Sequence, residues 1–102
     1  MAKLIALYKK PADSAAFDAY YFGHHVPLAK TISGLHKYEV NAGPVASPAG
    51  DSPYHLAAIL TFDSIASLGF ALNSEQGKAT AADLANFAQA GVELLVFDTK
   101  EV

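Results

Sequence analysis

The sequence predicts an α+β fold, one sheet with a helical layer, and three observations carry that prediction. Strand-length apolar segments and amphipathic helical segments alternate as strand, helix, strand, twice over, along 102 residues. Hydrophobic residues make up 52% of the chain and charged residues only 17%, which suits one core and leaves little polar sequence for its surface. In the strand segments, moreover, both alternating sets of side chains are apolar, so the sheet needs cover on both faces.

Each element follows from a local signal. "KLIALYKK" (Lys3 to Lys10) has strand length and stops at Pro11. "ADSAAFDAYYFGHH" then changes to helical spacing behind Asp13 or Ser14 as N-cap. Phe17, Tyr20, Tyr21, His24 and Leu28 fall on one broad helical face with His25 at its border, and Gly34 closes the region. "LHKYEV" (Leu35 to Val40) reads as a second strand, with Tyr38 and Val40 on one side. Asn41 to Pro53 is a Gly-, Pro- and Ser-rich loop, long for a small domain. "YHLAAILTF" (Tyr54 to Phe62) is the strongest strand. A helix follows behind Asp63 as cap, with Ile65, Leu68 and Leu72 on its apolar stripe. An Ala-rich helix after a break near Gly77 and a closing strand in Gly91 to Val102 complete the order.

Two split β-α-β units of this kind make a ferredoxin-like sandwich, a four-stranded antiparallel sheet with both helices on one face. A single domain over residues 1–102 is expected. One strand set (Leu4, Ala6, Tyr8; Leu56, Ala58, Leu60, Phe62; Val92, Leu94, Val96) belongs under the helices. The other, Ile5, Leu7, Ala57, Ile59, Leu95 and Phe97, would be left bare. Burying one such side chain is worth roughly 1.5–3 kcal/mol, so a homodimer with sheets packed face to face is predicted.

Composition also excludes. Without cysteine there are no disulfides, thiolate metal sites or thiol nucleophiles. A net charge of −3 with scattered lysines argues against nucleic acid. No window resembles a membrane span or a signal peptide, which leads to the expectation of a cytoplasmic protein. No glycine-rich phosphate loop and no nucleophile elbow occur, so neither nucleotide cofactor nor serine hydrolase chemistry is expected.

"YYFGHHVPL" (Tyr20 to Leu28) is the segment in which chemistry concentrates. Pro27 lacks an N–H and its ring crowds the Gly23 carbonyl, so the helix is expected to kink or end there, with Val26 driven out of helical geometry. A gap at that kink gives His25 somewhere to point. Neighbouring helical residues diverge by about 100°, and neither His24 nor His25 has a carboxylate three or four residues on, so a metal site is not expected. His25 reads either as a cap on loose carbonyls or as an acid–base group, its ordinary pKa lying near 6.5. Tyr38 reads either as a core tyrosine reaching the rim or as a donor to a developing oxyanion.

Taken together, "FDAYYFGHHVPLAK", "GLHKYEV", "FDSIASLGFALNSEQGKATAADLANF" and the closing strand resemble the EthD family of dimeric α+β-barrel proteins. The resemblance spans nearly the whole chain; Ser33 stands where the family usually has proline. The family is named for a protein required in bacterial degradation of ethyl tert-butyl ether. Its wider superfamily includes methyl-isomerases, cofactor-free monooxygenases and haem-binding members. The resemblance implies a catabolic role, a site role for His25 rather than His24, and Tyr38 as its strand partner. The expected pocket is lined by Phe17, Tyr21, Leu28, Tyr38, Tyr54 and Phe62 around His25. It would hold a small, mostly apolar oxygenated molecule, with no cofactor and no metal. A cofactor-free isomerase or monooxygenase and a non-catalytic binding protein both fit this equipment.

Overall fold

The computed structural model describes residues 1–102. Strand β1 (Ala2–Lys9) leads to helix α1 (Ser14–Tyr20), a π-helical turn (Tyr21–His25) and α2 (Val26–Ala29). Strand β2 (Lys37–Val40) follows, then a small hairpin of β3 (Ala46–Ser47) and β4 (Gly50–Asp51) inside the long loop. The long strand β5 (Tyr54–Phe62) precedes α3 (Ile65–Asn73), α4 (Glu75–Asp83) and a 3-10 turn (Leu84–Asn86), and β6 (Val92–Asp98) closes the fold. The main sheet is antiparallel in the order β2-β5-β1-β6, the ferredoxin-like arrangement. No helix is long and apolar enough to cross a membrane.

The register sorts the strand side chains as their alternation predicts. Ala2, Ala6 and Tyr8 on β1 join Leu56, Ala58, Leu60 and Phe62 on β5 in the buried core beneath the helices. On β6, however, Leu94 and Val96 remain 50% and 47% exposed although they lie on the helix side. The helices pack over β1 and β5 and leave the β6 edge uncovered.

Helix α1 starts as expected, with the Asp13 carboxylate accepting from the Ala16 N–H at 3.0 Å. The next turn departs from expectation. Val26 stays helical (φ −61°, ψ −50°) and its N–H reaches back five residues to the Tyr21 carbonyl. A turn widened in this way ahead of Pro27 accommodates the proline ring without ending the helix. It also shifts the phase. At about 3.6 residues per turn a spacing of four drifts around the helix, and the wide turn cancels part of that drift. The buried residues are therefore Phe17, Tyr21, His25 and Ala29, at intervals of four, and His24 is exposed.

Two other boundaries differ. Ser64, not Asp63, caps α3, accepting from the Ser67 N–H at 3.1 Å, because the Asp63 carboxylate is engaged by His36 at 2.6 Å. The α3–α4 break falls at Ser74, and Gly77 lies inside α4. A Cβ on Gly77 would sit 2.1 Å from the Ala71 carbonyl oxygen, so only glycine permits this close approach of α4 to the end of α3. Ile65, expected on the buried stripe, is 44% exposed; Leu68 and Ala71 fill that role.

Candidate functional site

A cavity of ≈ 70 Å³ lies between the sheet and the helices. Its floor is opened by the cross-strand pair Ala6–Ala58, where two methyl groups stand in a layer otherwise filled by large side chains. The π turn brings Tyr21 and His25 over this gap, and Ala29 behind them keeps it open. Tyr38 enters from β2, and Leu94 borders the cavity from the half-exposed β6 edge.

His25 is 3% exposed and its Nδ1 lies 2.9 Å from Oδ2 of Asp83. Asp83 ends α4, is itself 5% exposed, and is held by further donors. Its Oδ1 accepts from the Tyr20 hydroxyl at 2.6 Å and from Asn86 Nδ2 at 2.9 Å. Burial alone would raise the Asp83 carboxyl, but the hydrogen bonds from Tyr20, Asn86 and His25 outweigh it and hold the pKa below its ordinary value. Burial lowers the His25 imidazole more than Asp83 raises it, so the ring is neutral near pH 7. An ionised acceptor at Nδ1 selects the Nδ1–H tautomer and leaves a lone pair on Nε2. No buried side-chain nitrogen or oxygen is walled in without a partner; His25 lines the cavity, and its Nε2 has no hydrogen-bond partner in the protein.

The hydroxyls of Tyr21 and Tyr38 meet at 2.5 Å. Burial raises both phenols, while the hydrogen bond shared with Tyr21 pulls Tyr38 partly back, making Tyr38 the more acidic end of the pair. Two phenols sharing one hydrogen bond keep one proton free for a guest. Tyr8, also raised by burial, adds a third phenol to the lining. The cavity therefore sets a hydrogen-bond acceptor, Nε2, and a phenolic donor in an apolar wall.

Of the residues expected in the pocket, His25, Tyr21, Tyr38 and Phe62 meet there. Phe17 does not: it is core, stacked on Tyr21 at 5.8 Å and edge-on to Tyr8 at 5.5 Å, bracing the site from behind. Leu28 is displaced by the phase shift of the π turn, and Ala29 takes its place. Tyr54 is absent because the β1–β5 register shifts between Tyr8 and Lys9. Its hydroxyl instead bonds Glu93 at 2.5 Å, opposite Leu7 on the bare side of the sheet. Asp83 was not anticipated as a site residue, although the "DLANF" segment containing it carried the family resemblance. Its 58-residue separation from His25 hides the pairing.

The chain is thus a small ferredoxin-like α+β protein in which a buried His–Asp pair and a phenol pair meet beside one apolar cavity. The EthD domain model matches residues 9–91, and the chain belongs to the EthD family. It is 41% identical over 103 residues to an uncharacterised 11.0 kDa protein of the thcB–thcC intergenic region of Rhodococcus erythropolis, covering 100% of this chain and 98% of that one. The crystal structure of an EthD family protein from Bacillus halodurans superposes with a TM-score of 0.89 at 38% identity, covering 98% and 99% of the two chains. Hydroxynitrile lyase from Passiflora edulis shares the fold at a TM-score of 0.76 and 16% identity, over 99% of this chain and 94% of that one.

Proposed function

We propose that this protein handles a small, mostly apolar oxygenated compound of a catabolic pathway by proton transfer at His25, without a cofactor. The carrying observation is the buried, cavity-lining imidazole whose Nδ1 is tied to Asp83 at 2.9 Å, which leaves Nε2 for a guest. A C–H next to a carbonyl gives its proton to Nε2. The electron pair moves onto the carbonyl oxygen, where the free phenolic proton of the Tyr21–Tyr38 pair meets it. The imidazolium so formed is paired at once with Asp83. Return of the proton to a different carbon yields an isomer, and attack of the enolate on dioxygen is the oxygenase variant of the same first step. The non-catalytic alternative uses the same pocket only to hold a metabolite. His25→Ala separates the two: lost turnover with retained affinity supports the enzyme, and unchanged behaviour with every pathway compound supports the carrier.

The working unit in this proposal is a homodimer joined through the bare sheet face. Lys3 and Lys37 flank Thr61 at one end of that face, Glu93 lies opposite Leu7 at the other, and the Glu39–Ile59–Ile5–Leu95 row runs between. A two-fold axis along the strands would stack the lysine row on itself. An axis along the middle row instead brings the lysine end of one copy over the glutamate end of the other, which is the self-complementary choice.

A further inference from the structure

The charge of the cavity is the feature that the proton-transfer reading leaves unused. All seven cationic side chains are lysines, and none lines the cavity. Lys3, on the central strand β1, points to the opposite face and bonds Thr61 Oγ1 at 2.9 Å. Asp83, by contrast, is buried beside the cavity with three donors on its oxygens, which keep it ionised. Apart from His25 itself, the nearest basic side chain is His24, 60% exposed, with Nε2 at 3.6 Å from Oδ1. A guest therefore meets a neutral imidazole lone pair, phenol hydroxyls and, one ring beyond, a fixed negative charge.

We propose that Asp83 makes the cavity a charge filter, admitting uncharged molecules that offer a hydrogen-bond donor or acidic C–H to His25 Nε2 beside an oxygen for Tyr38, and excluding carboxylates of the same shape. The proposal rests on the reading of this cavity as a ligand site. Two physical terms act in one direction. A carboxylate loses its hydration in an apolar cavity that returns one phenolic hydrogen bond. It also lies about 7–8 Å from a like charge, across the imidazole ring, in a medium of low dielectric where repulsion still acts at that range. A neutral amide, ketone or alcohol incurs neither cost. Size narrows the class further, since ≈ 70 Å³ accommodates about five water-sized groups at roughly 10–15 Å³ each.

Isosteric pairs test this directly: acetamide against acetate, and propionamide against propionate, titrated into the protein at pH 7 while the His25 and Tyr38 NMR signals are followed. The amides are expected to bind with at least about tenfold advantage, and Asp83→Asn, which keeps an acceptor for Nδ1 without the charge, is expected to narrow that gap. Acids that bind wild-type protein as tightly as the amides overturn the filter while leaving the ligand site standing. An undiminished gap in folded Asp83→Asn removes Asp83 as its cause. Failure of all four compounds to perturb either residue overturns the ligand-site reading and the filter with it. Should Asp83→Asn not fold, the wild-type amide-to-acid ratio alone decides between a filter and none.

Discussion

The two faces of the sheet invert the usual distribution of chemistry. On the helix side, water is excluded, yet that is where the polar groups gather: Tyr8, Tyr21, Tyr38, His25 and Asp83 lie in or beside one cavity. On the bare side, water reaches Leu95 and Phe97, 51% and 46% exposed. The polar groups inside satisfy one another locally, His25 with Asp83 and Tyr21 with Tyr38. The apolar groups outside have no such local remedy, because only a second surface removes them from water. The inner face thus holds the groups of the proposed site and the outer face the exposed apolar surface of the proposed interface, and substitutions on the two should differ in kind.

The largest effect is expected outside. Leu95→Asp combined with Phe97→Asp should convert a dimer at micromolar concentration into monomer or aggregate, read by sedimentation velocity. An intact dimer in that variant would place the interface elsewhere. Inside, Asp83→Ala should cost about 3–5 kcal/mol in urea unfolding, because it strands the buried His25 donor together with those of Tyr20 and Asn86. A loss under about 1 kcal/mol would mean that the carboxylate is not holding the site together. Gly77→Ala should cost about 1–3 kcal/mol through the forced displacement of α4 from the Ala71 carbonyl. The smallest effect belongs to His24→Ala, exposed and beyond hydrogen-bond reach of Asp83, at no more than about 0.5 kcal/mol.

Acid should sharpen the same contrast. His25 and Asp83 both have folded pKa values below their ordinary ones, so the unfolded chain binds protons more readily than the native one. Stability should therefore fall with pH, first below about 6.5 as the unfolded imidazole charges, then below about 4 as the unfolded carboxyl protonates. The first phase should vanish in His25→Gln. Its persistence would assign the loss to another group.

Much of the inner face was legible because alternation and spacing report burial: the strand register, the cap at Asp13 and the inward sides of Tyr21, Tyr38 and Phe62 follow from such patterns. Helical spacing, however, put His24 on that face, and only the family resemblance selected His25. Leu28 misled because a π turn is invisible to a 3.6-residue template, and one added residue moves every later side chain around the helix. Tyr54 misled for the analogous reason in a strand, where a register shift reverses the face. Asp83 stayed hidden because an aspartate at the end of an Ala-rich helix looks like a surface charge. Nothing local indicates that tertiary packing folds it against an imidazole. The outer face was legible as a pattern of apolar residues, and the charge order of Lys3, Lys37 and Glu93 acquired meaning only once the strand order was known.

In the proposed site His25 is a neutral base whose proton is fixed on Nδ1 by Asp83, leaving Nε2 to the cavity. Nitrogen-detected NMR titration of ¹⁵N-histidine-labelled protein measures both the tautomer and the pKa at this one residue. An Nδ1–H imidazole is expected at neutral pH, with a pKa below the ordinary 6.5 and a different tautomer balance in Asp83→Ala. An Nε2–H ring, or a pKa at or above that of a free imidazole, would contradict this assignment.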